Sequence, residues 1–175
     1  MAEAGAQDRL QPSLLDRLLD DDARGKVESA SARALTRQQL RAAVLRDLGW
    51  LFNAIRAEPE PHSSREEEKA LWQAHPLARK SVVNFGMPAF AGTTLSSMDV
   101  GALRRAVLEA IRTFEPRIES DSLDVQVTTS RGSAHNQMQI SISGRLWSQP
   151  VPLELLLAAE VDIETGNARV RELRS

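Results

Sequence analysis

The carboxylates in the middle of the chain are the residues whose types and spacing could do chemistry. Glu115, Asp121 and Asp124 lie close in sequence. Glycoside hydrolysis needs two carboxyl groups across a cleft, about 5–9.5 Å apart depending on the stereochemical outcome. The pattern around them argues otherwise. Asp121 lies between Ser120 and Ser122 in a connecting turn, where short polar side chains are normal. Asp124 alternates with Leu123 and Val125, which puts it on the solvent face of a strand. Arg117, two residues after Glu115, favours the ionised carboxylate, the wrong direction for a general acid. His62, His75 and His135 fall in a linker, before Pro76 and in a hairpin loop, without the spacing of metal ligands, and the chain has no cysteine to complete a site. The serines have no matching His/Asp arrangement. Gly144 and Gly166 are isolated turn or bulge glycines, not a phosphate loop. The expectation is a protein with no catalytic residue, no metal and no cofactor.

The same region reads better as a corner. Thr113-Phe114-Glu115-Pro116-Arg117-Ile118 falls where an amphipathic helix must stop and alternating strand residues begin. Proline disfavours the helical conformation of the residue before it and lacks an N–H. The expected result is a rigid corner presenting a carboxylate and a guanidinium. On the pattern alone such a corner is more often a solvated helix end than a binding site.

The elements that position this corner follow from periodicity. A chain of 175 residues with 42% hydrophobic content can bury one core, so one domain with tails is expected. Residues 1–35 are polar and alanine-rich around one apolar knot, Leu14-Leu15-Asp16-Arg17-Leu18-Leu19, and read as a docking arm that folds only on a partner. Residues 36–175 form a single α+β domain. Its first helix starts at Thr36, with Gln39 completing a capping box and Leu35 against Leu40 as a staple. Leu40, Val44, Leu48, Leu51 and Ile55 recur on one face, widened by Trp50 and Phe52, up to about Arg56. Residues 57–70 carry no apolar side chain larger than alanine and read as a flexible acidic linker. Residues 81–88 read as a short extended segment and a turn, with Gly86 for backbone freedom and Pro88 fixing the exit.

The second helix has Ser96 as its cap with Asp99 three residues on, and Leu95 paired with Val100. Its stripe is Val100, Leu103, Val107, Ala110, Ile111 and Phe114, with Arg104, Arg105, Glu109 and Arg112 as a solvated face. The period then becomes two. Leu123, Val125 and Val127 mark one strand and Met138, Ile140 and Ile142 a second, joined by a hairpin loop over 130–136. A third strand runs from about Val151 to Ile163, and residues 168–172 return as a short fourth after a turn at 164–167. Two helices followed by hairpins give helices packed on one face of a mainly antiparallel sheet of about four strands.

The formal charge of −2 and pI near 6.0 give no general pull toward nucleic acid. The N-terminus lacks the basic start and apolar stretch of a signal peptide. The longest apolar run, Leu155-Leu156-Leu157-Ala158-Ala159, is too short to span a bilayer. The expectation is a soluble, cytoplasmic protein without direct membrane insertion.

Four segments in this order resemble the phage baseplate-wedge family, often labelled "lysozyme-like", whose bacterial branch is the TssE subunit of the type VI secretion baseplate. They are Arg46-Asp47-Leu48-Gly49-Trp50-Leu51-Phe52-Asn53, Ser81-Val82-Val83-Asn84-Phe85-Gly86-Met87-Pro88, Phe114-Glu115-Pro116-Arg117, and the closing Val161-Asp162-Ile163-Glu164-Thr165-Gly166. Phe85 stands where tyrosine is common and Phe52 where leucine is common. Pro12-Ser13-Leu14-Leu15-Asp16-Arg17-Leu18 is similar to a segment that precedes the TssE core and that phage wedge subunits usually lack. The resemblance implies a structural subunit that binds TssF and TssG and helps start the contractile TssB/TssC sheath, with TssK and the VgrG spike as further candidate partners through the assembled baseplate. It implies that Glu115, Pro116 and Arg117 serve wedge assembly. Leu14, Leu15 and Leu18 of the arm, and Val170 on a charged edge strand that could template an added strand, complete the expected partner-binding residues. A peptidoglycan-cleaving enzyme and a regulatory anti-adaptor on the same fold are the alternatives.

Overall fold

The computed structural model describes residues 36–61, 63–90, 99–130, 137–148 and 152–173. Helix α1, Arg37–Asn53, opens on the expected capping box: Gln39 N–H donates to Thr36 Oγ1 (3.2 Å) and Thr36 N–H donates to Gln39 Oε1 (2.9 Å). Each bond satisfies a backbone donor at the helix start. Its buried stripe is Leu40, Ala43, Val44, Leu48, Leu51 and Phe52. The helix stops before the expected Arg56, and Ile55 is exposed where the sequence put it in the core. The cause is a competing backbone pairing. Ile55 makes a parallel bridge to Met87, with Arg56 N–H bonded to Met87 O (3.0 Å) and Met87 N–H to Ala54 O (2.8 Å).

The expected linker over 57–70 is corrected: much of it is bonded into the fold, and its acidic end is helical. Glu58 pairs with Arg79 (2.9 Å) and Glu60 with Arg56 (3.1 Å), and Pro59 is buried. Helix α2, Glu66–Ala74, has Glu66, Glu67 and Glu68 in its first turn, where negative charge complements the helix dipole. The pairs Arg65–Glu68 and Glu66–Lys69 brace that turn. A one-turn helix α3, Pro76–Arg79, and a 3-10 turn, Val82–Asn84, follow, so residues 81–88 begin as a tight turn and not as an extended segment.

Helix α4, Val100–Phe114, is capped by Asp99, whose Oδ1 accepts from Ala102 N–H (2.9 Å). This corrects the expectation that Ser96 caps it; Ser96 and its companion Leu95 lie outside the described residues. The buried side of α4 is Leu103, Val107, Ala110 and Ile111.

Strands β1 (Asp124–Ser130), β2 (Gln137–Leu146), β3 (Leu153–Asp162) and β4 (Ala168–Glu172) form one antiparallel sheet in the order β1-β2-β3-β4. The register sets Val125 beside Ile142, Ile140 beside Ala159 and Ala159 beside Val170. That alternation sends Val125, Met138, Ile140, Ile142, Leu155, Leu157 and Val161 into a shared core with the helices. α1 packs chiefly against β4 and α4 against β1. The fold is therefore α+β, as the periodicity indicates. Among the described residues no helix is long and apolar enough to cross a membrane.

Candidate functional site: the corner and its frame

Glu115 is the C-cap of α4, with its N–H bonded to Ile111 O (2.8 Å). Only 2% of it is exposed. Its carboxylate does not point out as the sequence led us to expect. Oε1 accepts from Arg117 Nε (2.6 Å) and from Arg117 N–H (3.3 Å), and Oε2 accepts from Arg117 Nη2 (2.5 Å). One turn thus closes on itself through a forked guanidinium–carboxylate pair. Pro116 at its tip is exposed.

Arg117 reaches further. Nη2 also donates to Asp47 Oδ2 (2.5 Å), and Asp47 Oδ1 accepts from Arg46 Nε (2.8 Å). Arg46 in turn lies 5.3 Å over the Trp50 ring, a cation–π geometry. Burial of Arg117 works against its charge. The hydrogen bonds and charges of Glu115 and then Asp47 outweigh that, so its pKa is held above the ordinary guanidinium value. The corner's backbone continues into β2: Trp147 N–H donates to Arg117 O (2.9 Å) and Glu119 N–H to Arg145 O (2.8 Å), around a bridge between Ile118 and Leu146.

The second segment of the resemblance meets the same place. The Phe85 ring packs edge-on against Phe114, 5.3 Å between centroids at 71°. Asn84, 6% exposed, accepts from Glu58 N–H (2.9 Å) and donates to Arg79 O (3.1 Å). Gly86 has φ +137°, and a Cβ there would sit 2.6 Å from Arg56 N and 2.7 Å from Ala54 O. Only glycine allows that approach. In the first segment, Asn53 bonds both backbone groups of Ala168: Nδ2 to the carbonyl (2.9 Å) and Oδ1 from the N–H (3.0 Å). The first segment, at Asp47, and the second, at Phe85, are thus each in contact with the third, and the first also holds the strand after the fourth. Periodicity does not reveal these contacts, since Asp47 and Arg117 are 70 residues apart. The readable signal was the order of the segments.

The sheet edges are treated differently. Arg104 covers β1, donating to Val125 O (2.5 Å) and pairing with Asp124 (2.7 Å). The bonds to Arg104 and then Gln126 hold the Asp124 carboxyl below its usual range. On β4, Leu173 N–H bonds Leu156 O (2.8 Å) and Asp162 N–H bonds Asn167 O (2.9 Å). With the register Ala159 to Val170, alternation turns the N–H and C=O of Ala168, Val170 and Glu172 away from β3. Asn53 occupies those of Ala168, and Arg41 pairs with the Glu172 side chain.

The three carboxylates that suggested hydrolysis each end on an arginine: Glu115 on Arg117, Asp124 on Arg104, and Asp121, largely exposed, 3.7 Å from Arg145. His75 is exposed; His62 and His135 lie outside the described residues, as do Leu14, Leu15 and Leu18 of the arm.

The chain matches no curated protein and no solved structure. The family model described as baseplate wedge protein gp25 matches residues 38–151, from α1 through β2, and contains the first three segments and the whole corner. Proteins of that family are structural rather than enzymatic, and membership implies binding to other baseplate proteins. With more than half of its length matched and its corner built from the matched segments, the chain belongs to the gp25 baseplate wedge protein family.

Proposed function

We propose that this chain is a wedge subunit of a type VI secretion baseplate, in the cytoplasm, binding TssF and TssG and helping to start the TssB/TssC sheath. TssK and the VgrG spike would be reached through the assembled baseplate. The observation that carries the wedge role is the preassembled corner. Arg117 is fixed by Glu115 and Asp47, so the Pro116 tip loses little freedom when a partner covers it. Trp147, bonded to the corner through its backbone, and Trp50, one turn from Asp47, are about half exposed. Exposed Trp and Arg are the residue types on which interface energy concentrates. The contacts to a partner then belong to Pro116, Arg117 and these tryptophans, while Glu115 acts from inside by holding Arg117. The apolar knot at Leu14, Leu15 and Leu18 supports the secretion branch and a second contact made by the arm.

Co-expression with TssF and TssG tests this. Trp147→Ala should melt within a few degrees of the wild type and lose co-purification. Retained co-purification at wild-type levels would remove the corner from the interface. For the sheath, Val170 is the residue to test, since its N–H faces outward and no group among the described residues bonds it. Val170→Pro deletes that donor without breaking a ladder bond. Normal sheath assembly with this variant would dismiss the edge as a template.

A further inference from the structure

The helix α4 has a second face. Arg105, Leu108, Glu109 and Arg112 follow one another at i, i+3, i+4 and i+7, beside the core stripe, with Leu108 half-buried against the core. With Thr113 and Lys80 they line an open groove of about 630 Å³, within the size range of ligand-binding clefts. The charges in it are unusual for this protein. Among the described residues, Arg41, Arg46, Arg56, Arg65, Lys69, Arg79, Arg104, Arg117, Arg145 and Arg171 each have a carboxylate in ion-pair range. Five described cations have none, and three of them, Lys80, Arg105 and Arg112, meet in this one groove, while Arg37 and Arg169 lie apart at the start of α1 and on β4. Among the described residues Glu109 stands between Arg105 and Arg112 at helical spacing and pairs with neither, while Arg112 donates to the Ser120 carbonyl (3.1 Å). The helix face that the sequence suggests is merely solvated is therefore a concave, cationic surface with unspent charge.

We propose that this groove docks an acidic segment of a partner polypeptide, with carboxylates meeting Lys80, Arg105 and Arg112 and an apolar side chain over Leu108. Charge complementarity selects the occupant: three cations surround one carboxylate. Glu109, in the lining, repels a polyphosphate backbone but accepts an N–H or a lysine from a peptide. The half-buried Leu108 favours an occupant that carries apolar side chains between its charges. An arginine pair to a carboxylate is forked and directional, so such a groove selects sequence as well as charge. This surface does not depend on the type VI reading and would serve any baseplate.

The test uses the full-length protein and a short fluorescein-labelled peptide in which glutamate alternates with alanine and leucine. The controls are the same peptide with glutamine for glutamate and a single-stranded oligonucleotide of equal length. Anisotropy at low salt should show binding of the glutamate peptide and little of either control. Arg105→Glu should weaken it at least about tenfold, as expected for reversing a charge that meets its complement. Arg169→Glu, which reverses a cation outside the groove, should leave affinity within about twofold. Lys80→Glu gives the same readout from a separate segment if Arg105→Glu does not fold. The proposal is overturned by no binding of the glutamate peptide, by equal losses in Arg105→Glu and Arg169→Glu, or by an oligonucleotide that binds as tightly as the peptide.

Discussion

Among the described residues the Glu115 carboxylate accepts its hydrogen bonds from a single arginine, and the same Nη2 that bonds it also donates to Asp47. A carboxylate as buried as this is costly unless it is paired and bonded, and removing its partner is worse than replacing both. Glu115→Ala should therefore destabilise the protein by about 3 kcal/mol, the low end for a broken buried pair because Arg117 keeps some contact with water. Chemical denaturation of the variant checks this; a loss under about 1 kcal/mol would mean that the pair behaves like an exposed one. Because the Arg117 pKa is raised, its share of this stability is complete below the ordinary guanidinium range and fades only above it. A titration between neutral and mildly alkaline pH should show no transition from this group. The sequence made Glu115 and Arg117 visible as a pair and placed them at a helix end. It did not reveal their direction, since a side chain beside a proline corner can turn either way, and Asp47, which helps decide the matter, is remote in sequence.

At the scale of elements, caps and close approaches explain both the successes and the misses. Thr36 and Gln39 were legible because a capping box is local. The start of α4 is ambiguous in the sequence because Ser96 and Asp99 are both good caps three residues apart, and only the helix geometry chooses. Asp99→Ala should cost about 1 kcal/mol, the usual value of a lost N-cap, and Ser96→Ala much less. Equal effects in thermal melts would contradict the observed boundary. Helix α2 is hidden in the sequence because Glu66–Lys69 and Arg65–Glu68 look like a solvated charge run; its signal is the spacing of those pairs and the three acids preceding Lys69. The sequence around Gly86 indicates a turn glycine. Its more demanding role is to let residues 86–87 lie against the end of α1. Gly86→Ala combines a strained φ with a Cβ inside the neighbouring backbone, and should cost more than the roughly 1–3 kcal/mol of strain alone. A melting temperature within a degree or two of the wild type would refute that.

Across the whole molecule, the segments that carry the family resemblance form one connected frame. α1 holds Arg117 through Asp47 and holds β4 through Asn53. The 84–87 turn is pinned to α1 and to Phe114, and the corner is bonded to the end of β2. A structural subunit of a wedge needs such stiffness, because a floppy one would lose entropy each time it docked. The alternation of the strands and the helix stripes makes the α+β layout readable, and the short fourth strand has the bounds its pattern indicates. The frame itself was not readable, because long-range polar contacts leave no period in a sequence. If the frame exists to present the corner to the rest of the wedge, the corner should become protected on assembly. Hydrogen–deuterium exchange of the full-length protein, alone and co-purified with TssF and TssG, measures this directly. Added protection at residues 114–119 and 145–148 in the complex is the predicted result, and unchanged exchange there in a fully formed complex would contradict it.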